Sequence, residues 1–315
     1  MRISLLTDAP RHNLALMRLA TYYKEQGHEV KLNEPLWPAD FRIGSWLFTD
    51  SPKYPCDEQG GPATPVPWKR LTGMEDLKPD YSLFNLDHSV GYTWEWCPRR
   101  CPFCVVPKMH PPKIHRSIWD FHDHKFKKIE ILNNNWFSDP QWKETFEEIW
   151  DADLTVIEHG FDLRLLDEEK AEALKRTKFE RQIHFAWDRM QDEREIIRGL
   201  QIAKKYNLDA MVYVLIGFDT TLEEDLYRCQ KIHDLCFDPF PMIYNNRKDK
   251  LLHTFRRFIY LRYYKRYRTI AEAWADYGKV LPILPTPEVK AGRQAGMPGQ
   301  LPEAEGEEKD QGAEQ

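Results

Sequence analysis

Three of the six cysteines of this chain fall within eight residues, in the run Cys97-Pro98-Arg99-Arg100-Cys101-Pro102-Phe103-Cys104. Nothing else in the sequence restricts the fold as much. Six cysteines in 315 residues are too few for a disulfide framework. In a reducing compartment a tight cysteine cluster signals metal or redox chemistry instead. Thiolates suit zinc or an iron–sulfur centre. The run supplies only three, with no fourth cysteine nearby, so such a centre would keep one metal position open, as catalytic sites do. Cys229 and Cys236 stand on one expected helix, roughly 10 Å apart along its axis, too far for a disulfide.

The surroundings of the cluster read as an α/β fold. Strand-like runs lie near 91–96, 128–132, 154–157, 182–186, 210–216 and 240–244, with helical patterns between them. The helix over 221–236 opens with Thr221-Leu222-Glu223-Glu224, a capping-box spacing. Six βα units in succession favour a partial (β/α)6 TIM-like barrel over a doubly wound sheet. The cysteine run directly follows the first strand, which in such a barrel is the C-terminal mouth, where active sites lie. Ahead of it, the apolar stretches Ile3–Leu6, Val30–Leu32 and Ile43–Phe48 and the helix Asn13–Gln26 read as a small, truncated, Rossmann-like α/β domain. The stretch 50–80, rich in Pro and Gly, reads as a surface connection. The expected division is 1–78 for this domain and linker, 79–245 for the barrel, 246–285 for C-terminal helices and 286–315 for a disordered tail. That tail has too few apolar residues to offset its chain entropy.

Lys and Arg number 45 against 50 Asp and Glu, a formal charge of −5. This balance excludes a polybasic nucleic-acid-coating protein and an acidic disordered chain. The longest apolar run, Ala210 to Phe218, falls well short of the roughly 20 residues of a spanning helix. Met1–Leu6 runs into Asp8 too soon for a signal peptide. The expectation is a cytoplasmic protein with no membrane segment. One stretch departs from the charge balance: Arg247 to Arg268 carries nine basic residues against Asp249, interleaved with Tyr260, Tyr263, Tyr264 and Tyr267. Either an anionic or nucleic-acid partner uses it, or an amphipathic helix closes the core with its basic face in water.

The plainest use of the cysteine run is a structural zinc site completed by His110 or His115. The chain would then be a zinc-stabilised nucleic-acid-binding protein without catalysis. The βα context speaks against it, because zinc staples belong mostly to small domains lacking a core.

The spacing C-x3-C-x2-C, with an aromatic before the last cysteine, resembles the signature of the radical S-adenosylmethionine superfamily, and the resemblance covers about residues 80–245. It implies that Cys97, Cys101 and Cys104 hold one [4Fe–4S] cluster whose open iron takes the amino and carboxylate groups of S-adenosylmethionine. Reductive cleavage would yield a 5′-deoxyadenosyl radical that abstracts hydrogen from an unidentified substrate. An electron donor such as a flavodoxin or ferredoxin is implied as well. Phe103 matches the aromatic beside the adenine. Asn133-Asn134-Asn135-Trp136 fills the slot where the family holds the methionine amino group, and amide oxygens can accept from an ammonium. Read as residues alone, the same asparagines also fit a turn with a helix cap. Arg164, in Gly160-Phe161-Asp162-Leu163-Arg164, matches a partner for the cofactor carboxylate through its planar fork. Asp188 stands where relatives carry a glutamate after the fourth strand. Gly217, in Val214-Leu215-Ile216-Gly217-Phe218, lies in the fifth-strand segment that passes the adenine. Arg164 and Asp188 also fit surface ion pairs, and Gly217 a strand-end turn. The front domain resembles a shortened cobalamin-binding domain, with Gly60-Gly61-Pro62 echoing its glycine turn. The Asp-x-His-x-x-Gly signature is absent around His12 and His28, so cobalamin is not expected. Only Cys56 precedes the run, so neither is a second cluster.

Overall fold

The computed structural model describes residues 1–64, 74 and 76–280. Pro65-Val66-Pro67 in the connection and the expected tail 286–315 lie outside the described residues. The N-terminal unit runs β1 (Arg2–Thr7), α1 (Leu14–Glu25), β2 (Glu29–Leu32), β3 (Phe41–Ser45) and β4 (Glu58–Gly60). Its sheet has the order β2-β1-β3-β4 and every pairing is parallel. Asn13 starts α1 by accepting a hydrogen bond from the Leu16 N–H at 3.2 Å, an ordinary N-cap. Leu16, Leu19 and Ala20 then fall on one helical face and pack against Ile3, Leu5 and Ile43. The 50–80 connection is not all surface as expected: β4 adds a strand beside β3 and Pro62 is buried. Trp46 holds it there, donating its N–H to the Gly60 carbonyl at 2.9 Å and accepting from the Ala63 N–H at 3.1 Å.

The larger unit follows as β5 (Ser89–Gly91), α2 (Val106–Met109), β6 (Lys128–Ile131), α3 (Trp142–Asp151), β7 (Thr155–Ile157), α4 (Glu168–Arg176), β8 (Lys178–Phe179), β9 (Ile183–Ala186), α5 (Glu193–Lys205), β10 (Ala210–Ile216), α6 (Leu222–Asp234), β11 (Asp238–Ile243), α7 (Lys250–Tyr260) and α8 (Ile270–Val280). Its strands form two parallel sheets, β5-β6-β7-β8 and β11-β10-β9. An isolated parallel bridge, Phe161 to Phe185, joins them. The fold is α/β with parallel sheets throughout. Among the described residues no helix is long and apolar enough to cross a membrane.

The apolar periodicity explains this arrangement. Ala210, Val212, Val214 and Ile216 of β10 and Ile129 and Ile131 of β6 enter one core with Ile196, Leu200 and Ala203 of α5. The capping box of α6 forms as its spacing suggests, with Thr221 and Glu224 bonded reciprocally. The opposite face of the sheets is different in character. Val90, Glu130 and Ile157 are register partners across β5, β6 and β7, so they share the face turned away from that core.

The N-terminal unit closes over this second face. Met17 of α1 packs with Tyr81 and Val90, and His12 reaches the buried carboxylate of Glu130 at 2.9 Å. Glu130 also accepts from His88 Nε2 at 3.0 Å and His159 Nε2 at 2.7 Å. Burial alone would raise the Glu130 carboxyl, but the bonds from His12, His159 and His88 outweigh it and hold the group far below the usual range. His88 places its other ring nitrogen 2.8 Å from Asp87, so both nitrogens face carboxylates, which favours the imidazolium. Its pKa is raised, first by the Glu130 bond, against the effect of burial.

The signs of these shifts give a pH window. Glu130 contributes stability that is present above its unfolded pKa of about 4.3 and lost as pH falls below it. His88 contributes stability that is present below about pH 6.5 and lost as pH rises through its raised folded pKa. The seam is therefore strongest between these limits. Glu130→Gln is expected to lower the free energy of unfolding at pH 6 by roughly 2–4 kcal/mol. The difference from wild type should shrink below about pH 4, where the unfolded wild-type chain takes up a proton at Glu130 that the folded protein does not. Urea unfolding at a series of pH values measures both; an unchanged midpoint would show that the histidines do not hold the seam.

Candidate metal and cofactor site

Side-chain amides determine where the cysteine run begins. The first strand of the larger unit ends at Gly91, not near Trp96 as its apolar pattern suggests. The cause is Asn133, whose Oδ1 accepts from the backbone N–H groups of Thr93 and Trp94, both at 2.9 Å. A ladder that would have continued the strand is replaced by one side chain. Asn134 Nδ2 donates to the Glu95 carbonyl at 2.5 Å, and Asn135 Nδ2 reaches Cys97 Sγ at 3.7 Å. Three consecutive amides therefore hold three successive points of the outgoing chain. Of these, Asn133 and Asn134 are engaged with backbone. Asn135 Oδ1 is buried and, among the described residues, has no hydrogen-bond partner.

Cys97, Cys101 and Cys104 are all half-buried on one tight loop, with the Cys104 N–H donating to the Cys101 carbonyl at 3.0 Å. Pro107 sits in the first turn of α2, which follows. Burial raises the thiols of Cys101 and Cys104. The charge of Arg164 pulls Cys101 the other way, and a hydrogen bond from the Val106 N–H does so for Cys104. Without a cation the pair is thus thiol, and a bound metal would convert it to thiolate.

Behind the loop stands a carboxylate hub. Asp162 accepts from Asn135 Nδ2 at 3.1 Å, from Arg99 Nε at 3.4 Å, and from Arg164 Nε and Nη2 at 2.7 and 3.0 Å. Burial would raise its carboxyl, yet the Arg164 fork keeps it below the ordinary range. Arg164 Nη1 also donates to Asp192 at 2.9 Å. The fork expected for a cofactor carboxylate is largely occupied by the protein's own carboxylates. Gly199 of α5 makes this placement possible, because a Cβ there would collide with the Leu163 carbonyl. Only glycine lets α5 come so close under the Asp162–Arg164 turn.

Asp188 has the opposite surroundings. It lies after β9, half-buried, with no hydrogen bond or ion pair among the described residues. Burial pushes its carboxyl up to about 6; Arg228 and Arg164 pull it down, and Asp162 and Asp192 push it further up. It acts electrostatically on both Cys101 and Cys104. Phe103 meets Phe218 edge-on at 5.6 Å, and Phe218 meets Tyr244 at 4.8 Å. Gly217, with φ +77°, turns the chain after β10 and accepts from Arg247 Nη1 at 2.7 Å through its carbonyl.

The structure therefore brings Cys97, Cys101, Cys104, Asn135, Arg164 and Asp188 into one electrostatic neighbourhood, with Phe103 and Gly217 on the segments beside it. His115 is engaged elsewhere, with Nδ1 2.7 Å from Asp139. His110 is exposed, in a cleft shared with Cys97. Among the described residues no three His, Cys, Asp or Glu side chains gather as a group that could hold a single metal ion. The basic segment 247–268 packs its apolar positions inward, with Phe255, Phe258 and Ile259 buried. Tyr260 stacks on Phe240 at 4.4 Å, and Arg262 and Lys265 both pair with Asp238. Sequence reasoning missed Asp162 and Asp192; the one available signal was an Asp two residues before an Arg in a turn. No family model matches the chain, and no curated protein matches it.

The raised carboxyl of Asp188 makes a signed prediction. The folded protein holds a proton that the unfolded chain releases near pH 3.9, so stability falls as pH rises from about 3.9 to about 6. Asp188→Asn should abolish that slope and make the protein more stable than wild type at pH 7.5 by about 1–3 kcal/mol. Unfolding by urea from pH 4 to pH 8 tests this through the difference between the two proteins. A constant difference across the range would remove Asp188 as a titrating group.

Proposed function

We propose that the chain is a radical S-adenosylmethionine enzyme carrying one [4Fe–4S] cluster on Cys97, Cys101 and Cys104. The strands β5, β6, β7, β9, β10 and β11 are taken as the arc of a partial (β/α)6 barrel with the cysteine run at its mouth. The observation that carries this reading is a pair of unpartnered acceptors behind the cysteine loop. Among the described residues Asn135 Oδ1 is buried without a donor, and Asp188 is a carboxylate raised by burial with no donor of its own. Buried acceptors are nearly always satisfied in folded proteins, so the unsatisfied Asn135 oxygen, with the half-buried Asp188 carboxylate near the same thiols, matches a ligand rich in N–H and O–H donors. The ammonium and ribose hydroxyls of S-adenosylmethionine are such donors.

When bound, such a cluster passes one electron to S-adenosylmethionine, whose cleavage supplies a 5′-deoxyadenosyl radical able to take hydrogen from a substrate. The roles of this chain's own residues follow from their surroundings. Asn135 accepts from the ammonium while its Nδ2 stays on Asp162. Arg164, anchored by Asp162 and Asp192, holds positive charge beside Cys101 and favours its thiolate. Asp188 accepts from a hydroxyl or the ammonium, and that donor favours its ionised form. Phe103 and Phe218 offer an apolar wall to the adenine.

Anaerobic protein should be brown and hold about four iron and four sulfide per chain. Adding S-adenosylmethionine should change the electron paramagnetic resonance spectrum of the reduced cluster, and reductant plus S-adenosylmethionine should release 5′-deoxyadenosine slowly without substrate. Replacing any one of Cys97, Cys101 or Cys104 with Ala should abolish that release, whereas Cys229→Ala and Cys236→Ala should keep the cluster. Asn135→Ala should weaken S-adenosylmethionine binding by at least about tenfold, since it removes a buried acceptor for a charged donor. A colourless protein with one tightly held zinc would replace this reading with a structural zinc site.

A further inference from the structure

The two ends of an asparagine amide have nearly the same shape, so their neighbours decide which end points where. At Asn135 the neighbours leave one choice. The two hydrogens of Nδ2 go to Asp162 Oδ2 at 3.1 Å and Cys97 Sγ at 3.7 Å. Asp162 offers only acceptors. It already takes the Arg164 backbone N–H at 3.1 Å, Arg164 Nε and Nη2 at 2.7 and 3.0 Å, and Arg99 Nε at 3.4 Å. Against the effect of burial, the Arg164 fork keeps its carboxyl below the ordinary range, so it stays ionised. A half-turn of the Asn135 amide would set Oδ1 against this carboxylate and against the Cys97 sulfur, acceptor against acceptor.

The oxygen held on the other side is left unused. Asn135 stands at the N-cap position of the 3-10 turn Trp136–Ser138, yet its side chain makes no cap, although an asparagine oxygen ordinarily accepts from the backbone there. Oδ1 is buried and, among the described residues, unpartnered. The residue gives up a local bond for one that reaches 27 positions along the chain. What results is a buried acceptor of fixed orientation beside Cys97.

We propose that Asp162 is a positioning residue: it fixes the Asn135 amide so that the oxygen, and not the NH2, meets the incoming cofactor, and thereby makes this point of the site select an ammonium group. The proposal rests on the cofactor reading above and adds to it the residue that sets its selectivity. An amide oxygen accepts from an ammonium, whereas an NH2 in its place would set donor against donor. Asp162 itself does not touch the cofactor; its effect passes through Asn135.

The test is a double-mutant cycle on the full chain with its cluster, read as the dissociation constant of S-adenosylmethionine. Asp162→Asn is nearly isosteric and gives the Asn135 amide a neighbour that can donate as well as accept, so the orientation is no longer imposed. Binding should weaken by at least about tenfold, the loss of a buried hydrogen bond to a charged group. In Asn135→Asp both ends are oxygens, and in Asn135→Ala there is no amide to orient. In either background Asp162→Asn should cost no more than about twofold. An equal loss in all backgrounds would mean that Asp162 acts through Arg164 or the turn it caps, and overturns the proposal, as does an unchanged affinity in Asp162→Asn alone. A second readout is selectivity. The analogue of S-adenosylmethionine that lacks the amino group should bind wild type at least about tenfold more weakly than the cofactor, and Asp162→Asn should lose this discrimination. Undiminished discrimination overturns the proposal. Metal analysis precedes these measurements, so a preparation without iron overturns the cofactor reading separately. In that case, or where Asp162→Asn does not fold, the wild-type amide decides the orientation. The Asn135 side-chain NH2 protons, assigned in the nuclear magnetic resonance spectrum by their loss in Asn135→Asp, should exchange slowly with solvent because Asp162 and Cys97 hold them. Fast exchange would place the NH2 on the open side and overturns the proposal.

Discussion

One amide oxygen determines the geometry around the cysteines. Asn133 Oδ1 takes the two N–H groups, of Thr93 and Trp94, that would otherwise extend the first strand of the larger unit. Backbone donors in such a place must be paired, and a side chain does this without requiring another strand. The chain is thereby released from the sheet at Gly91 and can carry Cys97–Cys104 as a loop. The same amide's Nδ2 donates to Thr93 Oγ1 at 2.7 Å, so its orientation is fixed from both ends. Asn135 then transfers the restraint to Asp162, and Asp162 to Arg99 and Arg164. Three separate stretches of sequence meet through two polar side chains.

The seam with the N-terminal unit uses the same strand ends. Glu130 stands three residues before Asn133, and His159 stands three before Asp162. A movement of β6 that loosened His12 from Glu130 would therefore carry Asn133 with it. Among the described residues the apolar part of this seam has Met17, Tyr81 and Val90 buried, with Leu83, Phe84, Leu86, Phe126 and Leu132 packed against them. The charged hydrogen bonds at Glu130, each worth roughly 1.5–3 kcal/mol, add a directional restraint to it.

How far the sequence revealed this differs from element to element. The alternation of strands and helices was legible because β10 is a clean apolar run and α5 repeats its apolar positions at helical spacing, both consequences of burying one face. The cysteine spacing was legible because its three members are local. The end of the first strand was not, since Tyr92, Thr93 and Trp94 are good strand formers and the group that overrides them is 40 residues away. The Glu130 cluster was hidden for the same reason. His12, His88, Glu130 and His159 are distant in sequence, and the only trace is an acidic residue between two isoleucines on β6. The tyrosines of the basic segment looked like a stacking surface. Tyr264 is buried, and Tyr263 and Tyr267 both donate to Asp276; no local pattern distinguishes such packing from exposure.

The electrostatics of the interior separate structural carboxylates from those left in reserve. Asp80, Glu130 and Asp162 all work against burial and still end below the ordinary range, because Lys24, the histidines and Arg164 supply donors. Asp225 is raised by burial even though Arg228 pairs with it, but its oxygen accepts from both Thr220 and Arg228, so its bonds are complete. Asp188 alone among these is raised and also, among the described residues, without a donor. The Asn135 oxygen beside the same loop is unpaired as well, and the neighbouring thiols are raised by burial. Each of these would be complemented by an incoming cation or hydrogen-bond donor, and the unpaired Asn135 oxygen costs folding free energy until one arrives. Such costs scattered over a protein would reflect imperfect packing. Gathered within one loop cluster, and among described residues whose other buried carboxylates find donors, they are what supports placing the proposed cofactor there.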